Sequence, residues 1–263
     1  MNLKLENKRV LVTGSTSGIG KEIAKAFVKE GANVIINGRQ EKAMKQTIRE
    51  LSQYHEVDSV VADISTSDGV NELVDRVTQI GPIDILINNA ALCTSHHFFN
   101  TSAKDLKDIF ELNVFSMFYL TQAFLPNMIE RNFGRVINIS SEAALKPYPK
   151  LLPYSMTKAA VVNFTKGIAE FVSGYNITAN SILPGPTLTN ELNHFLTKRA
   201  VNTSRDIEDI KLEILKKNNP TSVIQRFVEM EEVAGMALYL SSKQASAITG
   251  SAIRVEGGIL STI

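Results

Sequence analysis

The chain has 263 residues, 44% hydrophobic and 21% charged, with 28 Lys+Arg against 27 Asp+Glu for a formal net charge of +1. That balance belongs to a globular protein and excludes long disordered tracts, a global basic field for nucleic acid and an acidic tail. The single cysteine, Cys93, excludes an intramolecular disulfide and any CxxC site, and no run of 18 apolar residues offers a membrane span. The opening MNLKLENKRVLVTG lacks the apolar stretch of a signal peptide, so a cytoplasmic protein is expected.

Strands and helices alternate along the chain. Residues 9–12 read as a strand, and 19–30 as a helix with Ile19, Ile23, Ala26 and Phe27 on one face. A strand at 33–36 and a helix at 41–54 follow. Further strands are predicted at 57–62, 83–87 and 135–139, with helices between them. Residues 154–173 make a long helix, 177–183 a strand, 230–241 a helix and 252–255 a closing strand. The strands are apolar almost throughout, as in a sheet covered on both faces. Alternation of this kind predicts an α/β fold, a parallel sheet with right-handed crossovers and helices on both sides. No linker or repeat interrupts it, so one domain over 1–263 is expected. Between Pro186 and Glu229 no strand is predicted, only polar and amphipathic sequence such as 205–217. An excursion that long between two strands reads as a substrate lid, at about 190–227.

The first strand runs into Thr13-Gly14-Ser15-Thr16-Ser17-Gly18-Ile19-Gly20, and a helix starts at once. Such a turn aims backbone N–H groups and a helix N-terminus at a pyrophosphate. Gly14 permits the tight turn, Gly18 the close approach and Gly20 tight packing of helix on strand. The pattern alone is also that of an ordinary glycine-rich turn, and its place after the first strand is what favours a dinucleotide. The spacing is GxxxGxG. Together with Asn88-Asn89-Ala90 and Tyr154-xxx-Lys158, it resembles the short-chain dehydrogenase/reductase family, from Lys8 to about Gly258.

The resemblance implies one Rossmann-type, doubly wound domain with a seven-stranded parallel sheet, the strand count already read from the pattern. It implies cofactor contacts from Gly14, Ser15, Ser17, Gly18, Ile19 and Gly20 in the turn. Asp63 and Ile64 would meet the adenine, and Asn88, Asn89 and Ala90 the adenosine and its ribose. Pro184, Gly185, Thr187 and Thr189 would form a PGxxxT segment at the nicotinamide. Ala91 stands where the family has glycine, and a positive φ there would strain alanine. At the end of the second strand, Asn37-Gly38-Arg39 has no acid to bind ribose hydroxyls and repel a 2′-phosphate. Arg39 can pair with that phosphate, so NADP(H) is favoured over NAD(H), although the family's other basic position holds Ser17.

Tyr154 and Lys158 lie one turn apart on the same helix face. A phenol of pKa about 10 is a poor base at neutral pH, and a nearby ammonium favours its ionised form. Tyr154 can then give a proton to a carbonyl oxygen or take one from an alcohol. Lys158 would also hold the nicotinamide ribose. Ser141 lies 13 residues before Tyr154, the family's separation for the serine that orients the substrate oxygen. Ser140 would face the opposite side if the strand continues. Asn113 matches the family's helix asparagine, which holds a water in a relay to the lysine. The implied catalytic set is Asn113, Ser141, Tyr154 and Lys158.

Glu142 follows the serine and either meets a polar substrate or faces solvent. Cys93, His96 and His97 cluster on a loop that edges the cleft, but no second ligand pair accompanies them, so no metal is expected. The expected activity is an NADP(H)-dependent oxidoreductase interconverting a carbonyl and a secondary alcohol. A narrower alternative is a 3-oxoacyl-carrier-protein reductase, with Lys198, Arg199, Lys216 and Lys217 as docking candidates. A non-catalytic NADP(H)-binding regulator is the alternative of another class, and the intact catalytic set argues against it. The expected partners are a small carbonyl or alcohol substrate, with no nucleic acid and no membrane, and further copies of the chain. Val114, Phe115, Met117, Phe118 and Leu120 crowd more than one helical face, which suggests a tetramer or a dimer paired through 102–130 and 154–173.

Overall fold

In the computed structural model, which describes residues 2–95 and 98–262, seven parallel strands form one sheet in the order β3-β2-β1-β4-β5-β6-β7. They are β1 (Arg9–Val12), β2 (Asn33–Gly38), β3 (Val57–Val61), β4 (Ile85–Asn88), β5 (Gly134–Ile139), β6 (Ile177–Pro184) and β7 (Ala252–Val255). The chain leaves β3 at one edge and returns beside β1, so the order reverses at β1 and β4. The crevice beyond their C-terminal ends is where such sheets bind ligands.

Alternate residues of each strand face opposite layers. Val10, Val12, Ile85 and Ile87 pack on α1 (Gly18–Lys29), α2 (Glu41–Leu51) and α9 (Met230–Ser241). Leu11 and Leu86 pack on the other side, against α3 (Ser67–Ile80) and α5 (Ser116–Glu130). Both layers are packed, which is why the strand sequences are apolar at most positions. β2 runs two residues beyond its apolar stretch because Asn37 and Gly38 pair with Val60 and Val61. An Asn-Gly pair reads locally as a turn, and only the neighbouring strand overrides it.

The predicted helix over 102–130 is a composite. Ser102 and Asp105 form a capping box before α4 (Ala103–Phe110), a π-helical turn spans Glu111–Phe115, and α5 continues the rod. The long helix begins earlier than its pattern suggested, as α6 (Leu152–Phe171), with Pro153 in the first turn. The excursion between β6 and β7 carries two helices, α7 (Asn190–Thr203) and α8 (Ile207–Asn218), where the pattern had marked only the second. They close over a small core of their own, Leu196, Ala200, Ile210 and Phe227. A parallel bridge between Thr187 and Val228 joins its two ends. Among the described residues, no helix is long and apolar enough to cross a membrane.

Candidate active site

The turn after β1 holds Gly14 at φ +60° and Gly18 at φ +54°, the left-handed region in which a side chain is strained. A Cβ on Gly14 would stand 2.9 Å from the Cα of Ala90. Asn89 stitches the two loops together, its Nδ2 donating to the carbonyls of Thr13 (2.9 Å) and Gly14 (3.2 Å). A Cβ on Gly20 would strike the Asn89 amide and the Gly14 carbonyl, so this glycine makes room for the turn itself rather than for the strand. Ser17 precedes α1 without a side-chain capping bond, and no acid occupies the first turn. The first N–H groups of α1 thus lack side-chain acceptors.

A cleft of about 610 Å³ opens beyond the strand ends. Gly14, Ser17, Ile19, Gly20, Asn89 and Ala90 line its middle, while Arg39, Asp63 and Ile64 line the side below β2 and β3. Ser141, Tyr154, Lys158, Pro184, Gly185, Thr187 and Thr189 line the β5–β6 side. Four expected residues do not line it. Ser15 is buried with its hydroxyl donating to the Val12 carbonyl (2.8 Å) and accepting from the Asn37 N–H (2.9 Å), so it joins β1 to β2. Asn88 turns its amide into the sheet, donating to Asn138 Oδ1 at 2.8 Å. Gly18 faces the methyl group of Thr189 instead. Asn113 is buried beneath the wall. Ala91 has no positive φ, so the departure from glycine there carries no strain.

Thr16, Leu92, Leu112, Ile139 and Cys93 also line the cleft and had not been singled out as contacts. Of these only Thr16 lies in a motif; the others are apolar or loop residues whose place depends on the packing of distant segments. Cys93 borders the cleft as expected, while His96 and His97 lie outside the described residues.

At the β5 end, Ser141 Oγ donates to Glu142 Oε2 (2.5 Å) and accepts from the Ala143 N–H (3.1 Å), and it stands near the Tyr154 phenol. Ser140 Oγ instead donates to the Lys158 carbonyl at 2.9 Å, so the two hydroxyls have different partners. Lys158 Nζ donates to the Ile139 carbonyl (2.8 Å) and stands 5.5 Å from the Tyr154 ring centre. Burial pushes the Lys158 pKa down to about 8. Burial also pushes the Tyr154 phenol up, with the nearby Cys93 and Glu142 adding to it and the Ser141 hydroxyl opposing it. The expectation of a depressed phenol is therefore corrected for the protein's own groups: desolvation dominates and favours the protonated phenol.

Asn113 sits in the π-turn, and its amide is spent on structure. Oδ1 accepts from the Leu92 N–H (2.7 Å), and Nδ2 donates to the Leu92 carbonyl (2.9 Å) and to Thr157 Oγ1 (3.0 Å). Thr157 in turn donates to the Tyr154 carbonyl at 2.7 Å. The side chain thus clamps the Leu92 loop to the helix of Tyr154 and does not enter the cleft. Glu142 is 6% exposed and so is not the solvent-facing residue of one expectation, and it does not line the cleft.

Residues 8–200 match the family model described as short chain dehydrogenase. The chain belongs to the short-chain dehydrogenase/reductase family. It is 44% identical over 263 residues to the uncharacterized oxidoreductase YvrD of Bacillus subtilis, covering all of both chains. It is 32% identical over 262 residues to the 3-oxoacyl-[acyl-carrier-protein] reductase FabG of Aquifex aeolicus, covering 98% of this chain and all of the relative. The crystal structure of L-sorbose reductase from Gluconobacter frateurii, complexed with NADPH and L-sorbose, superposes with a TM-score of 0.92 at 31% identity over the whole of both chains. This short-chain dehydrogenase/reductase is accordingly an oxidoreductase, and the seven-stranded Rossmann-type sheet expected from its sequence is the family's fold.

Proposed function

We propose that the protein is an NADP(H)-dependent oxidoreductase that interconverts a carbonyl and a secondary alcohol, with Tyr154 as the proton donor and acceptor. The observation that carries this reading is one cleft with a cradle at its middle and a proton-transfer group at its end. The cradle consists of Gly14 at positive φ and the uncapped start of α1, which suits a pyrophosphate. The proton-transfer group is Tyr154 with Ser141 and Lys158. When bound, the nicotinamide supplies or accepts hydride, and its oxidised ring adds positive charge.

The protein's residues do the rest. Tyr154, kept protonated by burial, is a ready proton donor to a carbonyl oxygen. Ser141 orients that oxygen, and the Lys158 ammonium favours the phenolate left behind. A charge-bearing lysine held by Ile139 also suits the hydroxyls of the nicotinamide ribose.

Preference for the 2′-phosphate draws on two features at β2. Arg39 is exposed at the cleft and forms no ion pair among the described residues. A Cβ on Gly38 would stand 2.6 Å from the Thr16 methyl, so Thr16 fills the space an acid would need. A charge-assisted contact of this kind contributes about 1.5–3 kcal/mol. Arg39→Ala should therefore weaken NADPH binding by roughly ten- to a hundredfold and leave NADH almost unchanged. Titration of both cofactors checks it, and equal affinities in the wild type would refute it. Consumption of NADPH on a panel of ketones and aldehydes tests the activity, with Tyr154→Phe as the control that should lose turnover and keep cofactor binding.

The narrower reading as a 3-oxoacyl-carrier-protein reductase draws on the Aquifex aeolicus relative. Of its docking candidates, Lys198, Lys216 and Lys217 are exposed, while Arg199 faces Glu213 at 3.7 Å. Acyl thioesters in the same panel test that reading directly. Two further features complete the proposal: α7 and α8 form a lid over the cleft, and the protein is a homo-oligomer.

A further inference from the structure

Glu142 opens a 3-10 turn (Glu142–Ala144) directly after Ser141, and both carboxylate oxygens are engaged. Oε2 accepts the Ser141 hydroxyl at 2.5 Å, within the range of a charge-assisted O–H···O⁻ bond. Oε1 accepts the Tyr148 hydroxyl at 3.2 Å. That hydroxyl accepts in turn from Asn219 Nδ2 at 2.7 Å, and Asn219 caps the C-terminal end of α8. A partly buried chain of bonds thus runs from the end of α8 to the serine of the active site.

The consequence follows from counting what a serine hydroxyl can offer. It has one proton and two lone pairs. With Glu142 ionised, the proton goes to Oε2 and one lone pair to the Ala143 N–H. Ser141 is left with a lone pair, which can accept from an alcohol but gives a carbonyl oxygen nothing. With Glu142 protonated, the carboxyl O–H donates to Ser141 Oγ, and the serine proton turns to the cleft.

We propose that Glu142 is a positioning residue that sets the polarity of Ser141 toward the substrate oxygen, acceptor when the carboxyl is ionised and donor when it is protonated. The inference rests on the proton-transfer reading above and assigns carbonyl reduction to the protonated form. The ionisable groups on the surrounding elements are Tyr154 and Lys158 of α6, Cys93 after β4, Lys146 and Tyr148 of its own loop, and Glu256 after β7. The neighbouring strand β6 has no titratable side chain. Among the described residues no lysine or arginine pairs with Glu142. Burial raises the carboxyl, and the bonds from Ser141 and Tyr148 only partly oppose it. The proton is therefore held to a pH above the usual carboxylate range, and reduction falls as pH rises through that value.

Infrared difference spectra of the carboxyl stretch, wild type against Glu142→Gln over about pH 4 to 8, locate the titration. The expected midpoint lies above the ordinary glutamate value of about 4.3. It should move higher still in Tyr148→Phe, which loses a donor to the carboxylate. Over the same range, kcat/KM for NADPH-dependent reduction by the wild type should fall about tenfold per pH unit above the midpoint. Glu142→Gln should lack that fall, because its amide supplies the donor and acceptor of the protonated acid, and the fall in Tyr148→Phe should lie at higher pH. A carboxyl that titrates at the ordinary value, or a Gln variant that keeps the wild-type fall, overturns the proposal. A wild type that reduces no carbonyl at any pH overturns the proton-transfer reading instead, and the infrared midpoints still decide on Glu142.

Discussion

Ser140 and Ser141 are neighbours with the same chemistry, and their surroundings separate them. Ser140 donates to the Lys158 carbonyl and Ser141 reaches Tyr154. Ser141→Ala should therefore cut turnover of the carbonyl substrate by at least tenfold, since general acid–base arrangements contribute about 10²–10⁴, and it also costs stability through the lost bonds to Glu142 and Ala143. Ser140→Ala should lose about 0.5–1.5 kcal/mol with its deleted bond while retaining most of its turnover. Parallel kinetics and thermal melts check the pair. A greater loss of rate in Ser140→Ala would mean that the wrong serine has been assigned to the substrate.

Among the elements, the π-turn between α4 and α5 does the most to shape the site. π-bulges are costly interruptions of a helix and collect where a side chain must be re-aimed. Here the turn brings Asn113 against the Leu92 backbone, and the amide satisfies both the N–H and the carbonyl of that residue. Asn113→Ala leaves these groups unpaired in a part-buried place, at about 1–3 kcal/mol each. The expected outcome is a melting temperature lower by about 2–4 °C for each kcal/mol, together with weaker turnover as the Leu92–Cys93 wall shifts. A variant with wild-type stability would show that the clamp carries no load.

Over the whole molecule, the rod from Ala103 to Glu130 leaves aromatic surface uncovered. Met117 and Leu120 are buried in the sheet layer, whereas Phe115, Phe118 and Tyr119 are 42%, 43% and 49% exposed. The Phe118 ring lies 5.6 Å from that of Phe164 of α6, tilted by 51°, so the patch spans the two helices proposed for pairing. Sedimentation at low micromolar concentration should give two or four times the 28.9 kDa of one chain, and a monomer would exclude the assembly. The lid belongs to the same scale. Its small core is separate from the main ones and its ends meet at Thr187 and Val228, as the proposed lid, moving as a unit, would require. Hydrogen exchange over 190–227 should slow when NADPH and substrate bind, and protection that does not change would end the lid reading.

What the sequence by itself determined rests on short-range periods and spacings. Residue type shows through a strand buried on both faces, so all seven strands were legible, and helix period alone brings Tyr154 and Lys158 to one face. The glycine turn was legible because glycine takes the conformations of Gly14 and Gly18 without the strain a side chain brings. The tertiary structure decided what depends on which distant segment lies alongside. Ser15 belongs to the same motif as Ser17, yet β2 claims its hydroxyl. The amide of Asn113 finds the loop after β4, which no spacing along the chain announces. Glu142 reads locally as a substrate contact or a surface acid, and only the tertiary packing that brings Tyr148 to it makes it a buried one. The phenol of Tyr154 is raised rather than depressed for the same reason. Proximity along a helix is set by the sequence, but desolvation is set by everything that closes around it.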